Sequence, residues 1–294
     1  MKSKRYLKNP ANPALPLLKS FLTILITASL FGCSTSFEPT YKERDIPEII
    51  KKTCAEEFKM AVATQLAGNT LWVYYPIDRI INKDYEVTKD KLFDEEMSNK
   101  LRNLTTVIGR VLISADRSPD FFCLVISDIK ERALDYMLIA NALDIKKTYA
   151  NFLPWPEMNK RYVVKLLNAP NALGDSTGEH IQPYDISWNE FIGNQISQRI
   201  ESRFREDDYK ALYSVKEVTA QFTPTTLVVN ADIKMQELRI GNIRNDKIIG
   251  ESLKIIAQVI RAYNFKDFIQ VEIHDTIEGK NSLFSRQTVE AIKE

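Results

Sequence analysis

The stretch "DFFCLVISD", Asp120 to Asp128, carries six apolar residues in a row, Phe121 to Ile126. A strand with one face on a core and the other in water alternates apolar and polar residues, so an unbroken run requires cover on both faces. A second stretch, "DFIQVEIHD" at Asp267 to Asp275, matches the first at an offset of 147 residues, but it alternates. The match continues upstream without a gap: Ile108 with Ile255, Leu112 with Val259, Ile113 with Ile260 and Ala115 with Ala262. In each copy a helix-period segment, 92 to 115 and 246 to 263, runs into a strand.

Further upstream, "VATQLAGNTLWVYYPI" from Val62 and "VTAQFTPTTLVVNADI" from Val218 each read as two strands around a tight turn, Gly68-Asn69 in one and Pro224-Thr225 in the other. Leu71 then matches Leu227 and Val73 matches Val229, at an offset of 156. A helix-period segment precedes each hairpin, at 46 to 57 and at about 188 to 206, the latter with Ser187 and Glu190 spaced as a capping box. The expected fold is therefore α+β: two repeated helix-hairpin-helix-strand modules, each with its helices on one face of a small sheet. This order of elements resembles that of the small envelope modules called BON domains. The resemblance is one of topology, and it implies no function. The modules span 45–131 and 187–294. The connecting segment 132–186 reads as a strand at Tyr136 to Ala142, a helix near 143–152, a second helix at 156–168 and a loop.

The N-terminus has the order of a secretory signal: Lys2, Lys4, Arg5, Lys8 and Lys19, then the apolar run Phe21 to Phe31, then small residues. Its 11 residues fall short of the ~18 to 20 of a spanning helix. Leu30-Phe31-Gly32-Cys33 resembles the lipobox of bacterial lipoproteins. That resemblance implies removal of 1–32, a diacylglyceryl group and palmitate on Cys33, and a polar tether at 33–44. With Ser34 following the cysteine, it also implies an outer-membrane location facing the periplasm. The signal holds five of the 40 basic residues and none of the 39 acidic ones, so the chain from Cys33 carries a net charge of −4. With no basic block left, a nucleic-acid partner is disfavoured. The expected partners are the membrane, through the lipid, and an envelope protein.

Little in the sequence points to chemistry. His180 and His274 have no second ligand at metal spacing, so no metal site is expected, and no nucleotide-cofactor fingerprint occurs. "GDSTG", Gly174 to Gly178, formally matches G-x-S-x-G, but a nucleophile elbow needs a strand before Ser176 and a helix after it, and both flanks read as loop. An envelope hydrolase with its site in the 168–185 loop is the alternative to a binding or scaffold module. Asp128 and Asp275 end their strands and read as turn formers. Cys54 sits on the apolar face of the first helix and Cys123 on the far face of the strand, so they are not expected to form a disulfide.

Alignment with Ile269, Val271 and Ile273 turns Phe122, Leu124 and Ile126 toward the helices. Trp72, Tyr74, Phe121, Cys123 and Val125 then share the opposite face, the candidate binding or packing surface. The matching face of the second sheet carries Val228, Asn230, Asp232, Gln270, Glu272 and His274 and tolerates water. Three aromatics of ~150 Å² or more each would form a patch near the largest found on monomers. The expected cover is the 132–170 segment with Trp155, and the alternative is an open groove.

Overall fold

A computed structural model describes residues 40–82, 92–130, 134–168, 182–236, 246–277 and 279–292. The signal segment, Cys33, Ser176 and His180 lie outside the described residues. Thr40 to Glu294 belong to one compact unit. Among the described residues, no helix is long and apolar enough to cross a membrane.

Helix α1 (Ile46–Phe58) leads into the hairpin β1 (Ala63–Ala67) and β2 (Thr70–Ile77), which turns at Gly68 with φ +57°. Helix α2 (Glu95–Ser114) starts where Asp94 accepts a hydrogen bond from the Glu96 amide. It crosses over to β3 (Phe121–Asp128), which lies parallel to β2, and β4 (Leu134–Asn141) returns antiparallel. Asn141 caps α3 (Ala142–Tyr149), the short α4 (Trp155–Lys160) follows, and β5 (Val163–Asn168) completes a five-stranded sheet in the order β1 to β5. The helix expected over 156–168 is therefore a turn of helix and then a strand. In Val163–Asn168 burial alternates, which is the strand period.

The second half comprises α5 (Trp188–Phe204), α6 (Asp207–Lys210), β6 (Tyr213–Thr223), β7 (Thr226–Met235), α7 (Asp246–Ala262), β8 (Gln270–Asp275), β9 (Lys280–Ser285) and α8 (Arg286–Glu290). Its sheet runs β6 to β9, with antiparallel, parallel and antiparallel pairings in turn. Of the expected capping box, Ser187 accepts from the Glu190 amide, while the Glu190 carboxylate accepts from the Tyr184 hydroxyl at 2.7 Å. The fold class is α+β, with two sheets and their helices.

Strand pairing sets the correspondence between the sheets more directly than the residue match does. Thr70 lies opposite Phe121, and Thr226, at the same place after its turn, lies opposite Gln270. Pairing thus relates Phe121 to Gln270 at an offset of 149, two residues from the expected 147. An even shift keeps every side chain on its face. Val271 and Ile273 accordingly point into the core, but Ile269, expected beside them, precedes β8 and is exposed.

Both faces of β3 are buried. Leu71, Val73, Phe122, Leu124 and Ile126 pack with Ile50, Cys54, Leu104 and Ile108 of α1 and α2. Trp72, Tyr74, Phe121, Cys123 and Val125 join the core of the second half. The expected cover is corrected here: β4 and β5 extend the sheet sideways and add Ile139 and Val163 to this face, while Trp155 is 47 % exposed against Tyr149. Segments with strand period satisfy their backbone groups by joining an edge, which a covering layer of the same sequence could not do. The cover is α5. The Phe121 ring meets Trp188 at 4.9 Å and Phe191 at 4.8 Å, and Ile192, Ile196 and Ile200 are buried in the same core. On another side of α5, Gly193 lies against the Ala220 carbonyl of β6, where a Cβ would collide. A helix buried on two sides needs apolar or small residues around most of its girth, and α5 has them.

Candidate functional site

The face of Trp72, Tyr74, Phe121 and Val125 is covered internally, as expected, rather than left as an open groove. All four are buried in the joint core, and the strap 182–187 is tied to its rim: Trp72 Nε1 donates to the Tyr184 carbonyl at 2.8 Å, and Asp185 Oδ1 accepts from the Asn69 amide at 2.9 Å and the Thr70 hydroxyl at 3.2 Å, leaving beside Pro183 a pocket of only about 60 Å³ that Trp72 and Tyr74 also line. These residues form a packing face. Cys54 and Cys123 are free and buried on opposite faces of the sheet. Asp275 accepts from the Ile277 amide, closing the turn after β8, and Asp128 accepts from the Ile80 amide. Of the 168–185 loop, 169–181 lie outside the described residues.

A larger cleft opens elsewhere, between α4, α5 and α7. Its floor is an ionic cluster laid out by helical spacing: Glu157 and Arg161 on one segment and Gln195 and Arg199 on α5, each pair four residues apart. Arg161 bonds Asp144 Oδ1 through Nη1 and Glu157 Oε1 through Nε, both at 3.0 Å. Arg199 Nη2 lies 3.7 Å from the same Glu157 oxygen, and its Nε donates to Gln195 at 3.2 Å. Gln195 in turn donates to the Arg161 carbonyl, and Gln198 bonds both the Tyr162 carbonyl and the Val164 amide. These bonds tie α5 to the edge of the first sheet.

The guanidinium side chains are only 13 % (Arg161) and 17 % (Arg199) exposed. For Arg161, burial opposes the charge, but Asp144 and Glu157 outweigh it and hold the pKa above the usual arginine value. For Arg199, burial wins over Glu157 and pulls the pKa down. Desolvation of a cation that one shared carboxylate incompletely offsets is the environment in which an added anion is stabilised.

Above this floor lies a lobe of about 480 Å³ lined by Lys160, Arg261 and Gln258 as well as Glu157, Arg161 and Arg199. A second lobe of about 380 Å³ shares Lys160, Arg199 and Gln258 and extends toward Ser202 and Arg203. Four basic side chains, Lys160, Arg161, Arg199 and Arg261, line the first lobe with Glu157, and Asp144 lies behind it; Arg261 also donates to the Ile292 carbonyl at 2.6 Å. Such a cleft suits a carboxylate or phosphate group. None of these residues stood out in the sequence; the i,i+4 pairs were the available signal, but they are scattered over three segments.

A second polar array occupies the open face of the second sheet, where His274 Nδ1 meets Asn230 Oδ1 at 2.9 Å and its Nε2 lies 2.8 Å from Glu272. Asn230 donates onward to Thr219. This is the face expected to tolerate water, and its residues are half-buried. Among the described residues, no group of three His, Cys, Asp or Glu is placed to hold a metal ion. No protein-family model, no curated protein and no solved structure matches this chain.

Proposed function

We propose that the protein is a lipid-anchored envelope protein that binds an anionic ligand in the cleft between its two halves. The lobe above the Arg161–Glu157–Arg199 cluster carries the reading: it is concave, is lined by the cationic Lys160 and by two guanidinium groups that share the single Glu157 carboxylate, and lies in a body whose chain from Cys33 is net negative. Support for the anchor is the order of charge, apolar run and lipobox before Cys33. The halves share an order of helix, hairpin, helix, paired strands and capped helix, which supports an origin by duplication of one unit.

Two measurements test this. Cells fed labelled palmitate should label the protein, and Cys33→Ser should abolish the label; equal labelling of the variant refutes the anchor. Inorganic phosphate or succinate should raise the melting temperature, since a ligand at 100 times its Kd adds about 2.7 kcal/mol. Lys160→Glu, an exposed change, should remove that shift. If the shift survives or never occurs with either anion, the cleft reading fails.

A further inference from the structure

The corner between α3 and α4 is built unlike the rest of the surface. Phe152 is 83 % exposed, Leu143 55 % and Trp155 47 %, and prolines at 154 and 156 flank the tryptophan. Asn151, with φ +60°, turns the chain at the end of α3 so that Phe152 projects outward. The basic side chains here are Lys146, Lys147 and Lys160. The acidic ones turn inward: Asp144 is buried against Arg161, and Glu157 is shared by Arg161 and Arg199. The corner therefore presents apolar and aromatic side chains ringed by positive charge, the composition that seats at an anionic lipid–water interface.

The corner also lies close to where the described chain begins. The Thr40 amide donates to the Ser114 carbonyl at the end of α2, so residues 40 to 44, read from sequence as part of the tether, are docked. Five residues back, roughly 8 Å along the helix, Gly109 is packed so tightly on Tyr149 that a Cβ would collide with the ring. Tyr149 stacks edge-on with Trp155 at 5.7 Å. From Cys33 to Thr40 the chain has seven steps, at most about 25 Å when fully extended. An acylated Cys33 would thus hold Thr40, and the Trp155 corner a comparable distance from it, within reach of the bilayer.

We propose that Phe152 and Trp155, with Lys146 and Lys147, dock on the surface of the membrane that anchors the protein, giving the body a fixed orientation. The proposal rests on the lipid-anchored reading above, and the test separates the two. The acylated full chain is reconstituted into vesicles of phosphatidylethanolamine and phosphatidylglycerol with brominated acyl chains, and flotation and tryptophan emission are measured. Trp72 and Trp188 lie in or against the joint core, so the quenched emission should be the part that Trp155→Phe removes. Phe152→Ser with Lys146→Glu and Lys147→Glu should float as before but lose the quenching. Flotation without quenching in the unaltered protein overturns the docking alone, as would full quenching in the triple variant. Failure to float overturns the anchor and, with it, the docking.

Discussion

Substituting Phe121 and Phe122 in parallel tests whether the two halves are one folded body. These neighbours point to opposite faces of β3: Phe122 into the core under α1 and α2, Phe121 into the core shared with α5. Each is buried, so truncation to alanine removes roughly 150 Å² of apolar surface from a packed site. At ~25 cal/mol per Å² this is just under 4 kcal/mol, an upper bound for the transfer part, and measured Phe→Ala losses of about 3 to 5 kcal/mol in cores agree. Phe121→Ala also forfeits ring contacts with Trp188 and Phe191, each worth about 0.5 to 1.5 kcal/mol. Both variants should therefore lower the urea midpoint by comparable amounts. If the halves were separate in solution, Phe121 would lie on an open face and its loss would cost under about 1 kcal/mol, while Phe122→Ala would be as damaging as before. That unequal outcome would refute the joint core.

Two further outcomes follow from single sites. Gly68→Ala should destabilise the protein by about 1 to 3 kcal/mol, because φ is +57° there and a Cβ would collide with the Asp185 carboxylate that clasps the hairpin tip; a neutral result in a melting experiment would contradict the clasp. Burial, with a smaller push from Glu57, raises the Cys54 thiol from 9.0 to about 11. The unfolded chain thus loses this proton first: the stabilisation is complete below pH 9 and is lost as pH rises toward 11, at up to about 1.4 kcal/mol per pH unit. Urea titrations at pH 8 and 10.5 should show a smaller alkaline loss in Cys54→Ala than in the unaltered chain, and equal losses would sink the argument.

The long elements and their faces were legible in the sequence because period and burial agree there. The spans 46–57, 92–115, 188–206 and 246–263 are helices within a few residues of their ends, and alignment of the unbroken run Phe121–Ile126 with the alternating stretch at Asp267 to Asp275 assigned Phe121 to Ile126 to the correct cores. Legibility fell where only tertiary context decides. Val163–Asn168 becomes a strand because the β4 edge is open beside it, and Trp155 is exposed because the chain turns sharply at Asn151 and the flanking prolines. The residue match at 147 and the pairing order at 149 differ by two, and both put the side chains on the same faces, because a match of residue types is insensitive to any shift that preserves alternation. The cleft was hidden for a different reason: Glu157, Arg199 and Arg261 come together only when α5 fills the space between the sheets.

The position of α5 also accounts for the unequal far faces of the two sheets. A sheet with helices on one side must either end the stack in water or accept another layer. The first sheet accepts one: Trp72, Tyr74, Phe121 and Val125 are apolar because Phe191, Ile192 and Ile196 lie against them. At the equivalent positions of the second sheet, Val228, Asn230, Gln270, Glu272 and His274 are mostly polar; His274 bonds Asn230 and Glu272, and Gln270 donates to the Thr226 hydroxyl, so they can face water without loss. The same pairing order is thus compatible with an inner and an outer sheet, and the side chains on one face decide which is which. Because the inner sheet is dry, α5 is held there by packing, and its polar residues at 195, 198 and 199 reach past the sheet edge. There they meet Arg161 and Glu157, so the burial that closes the apolar face also places the charged floor of the cleft.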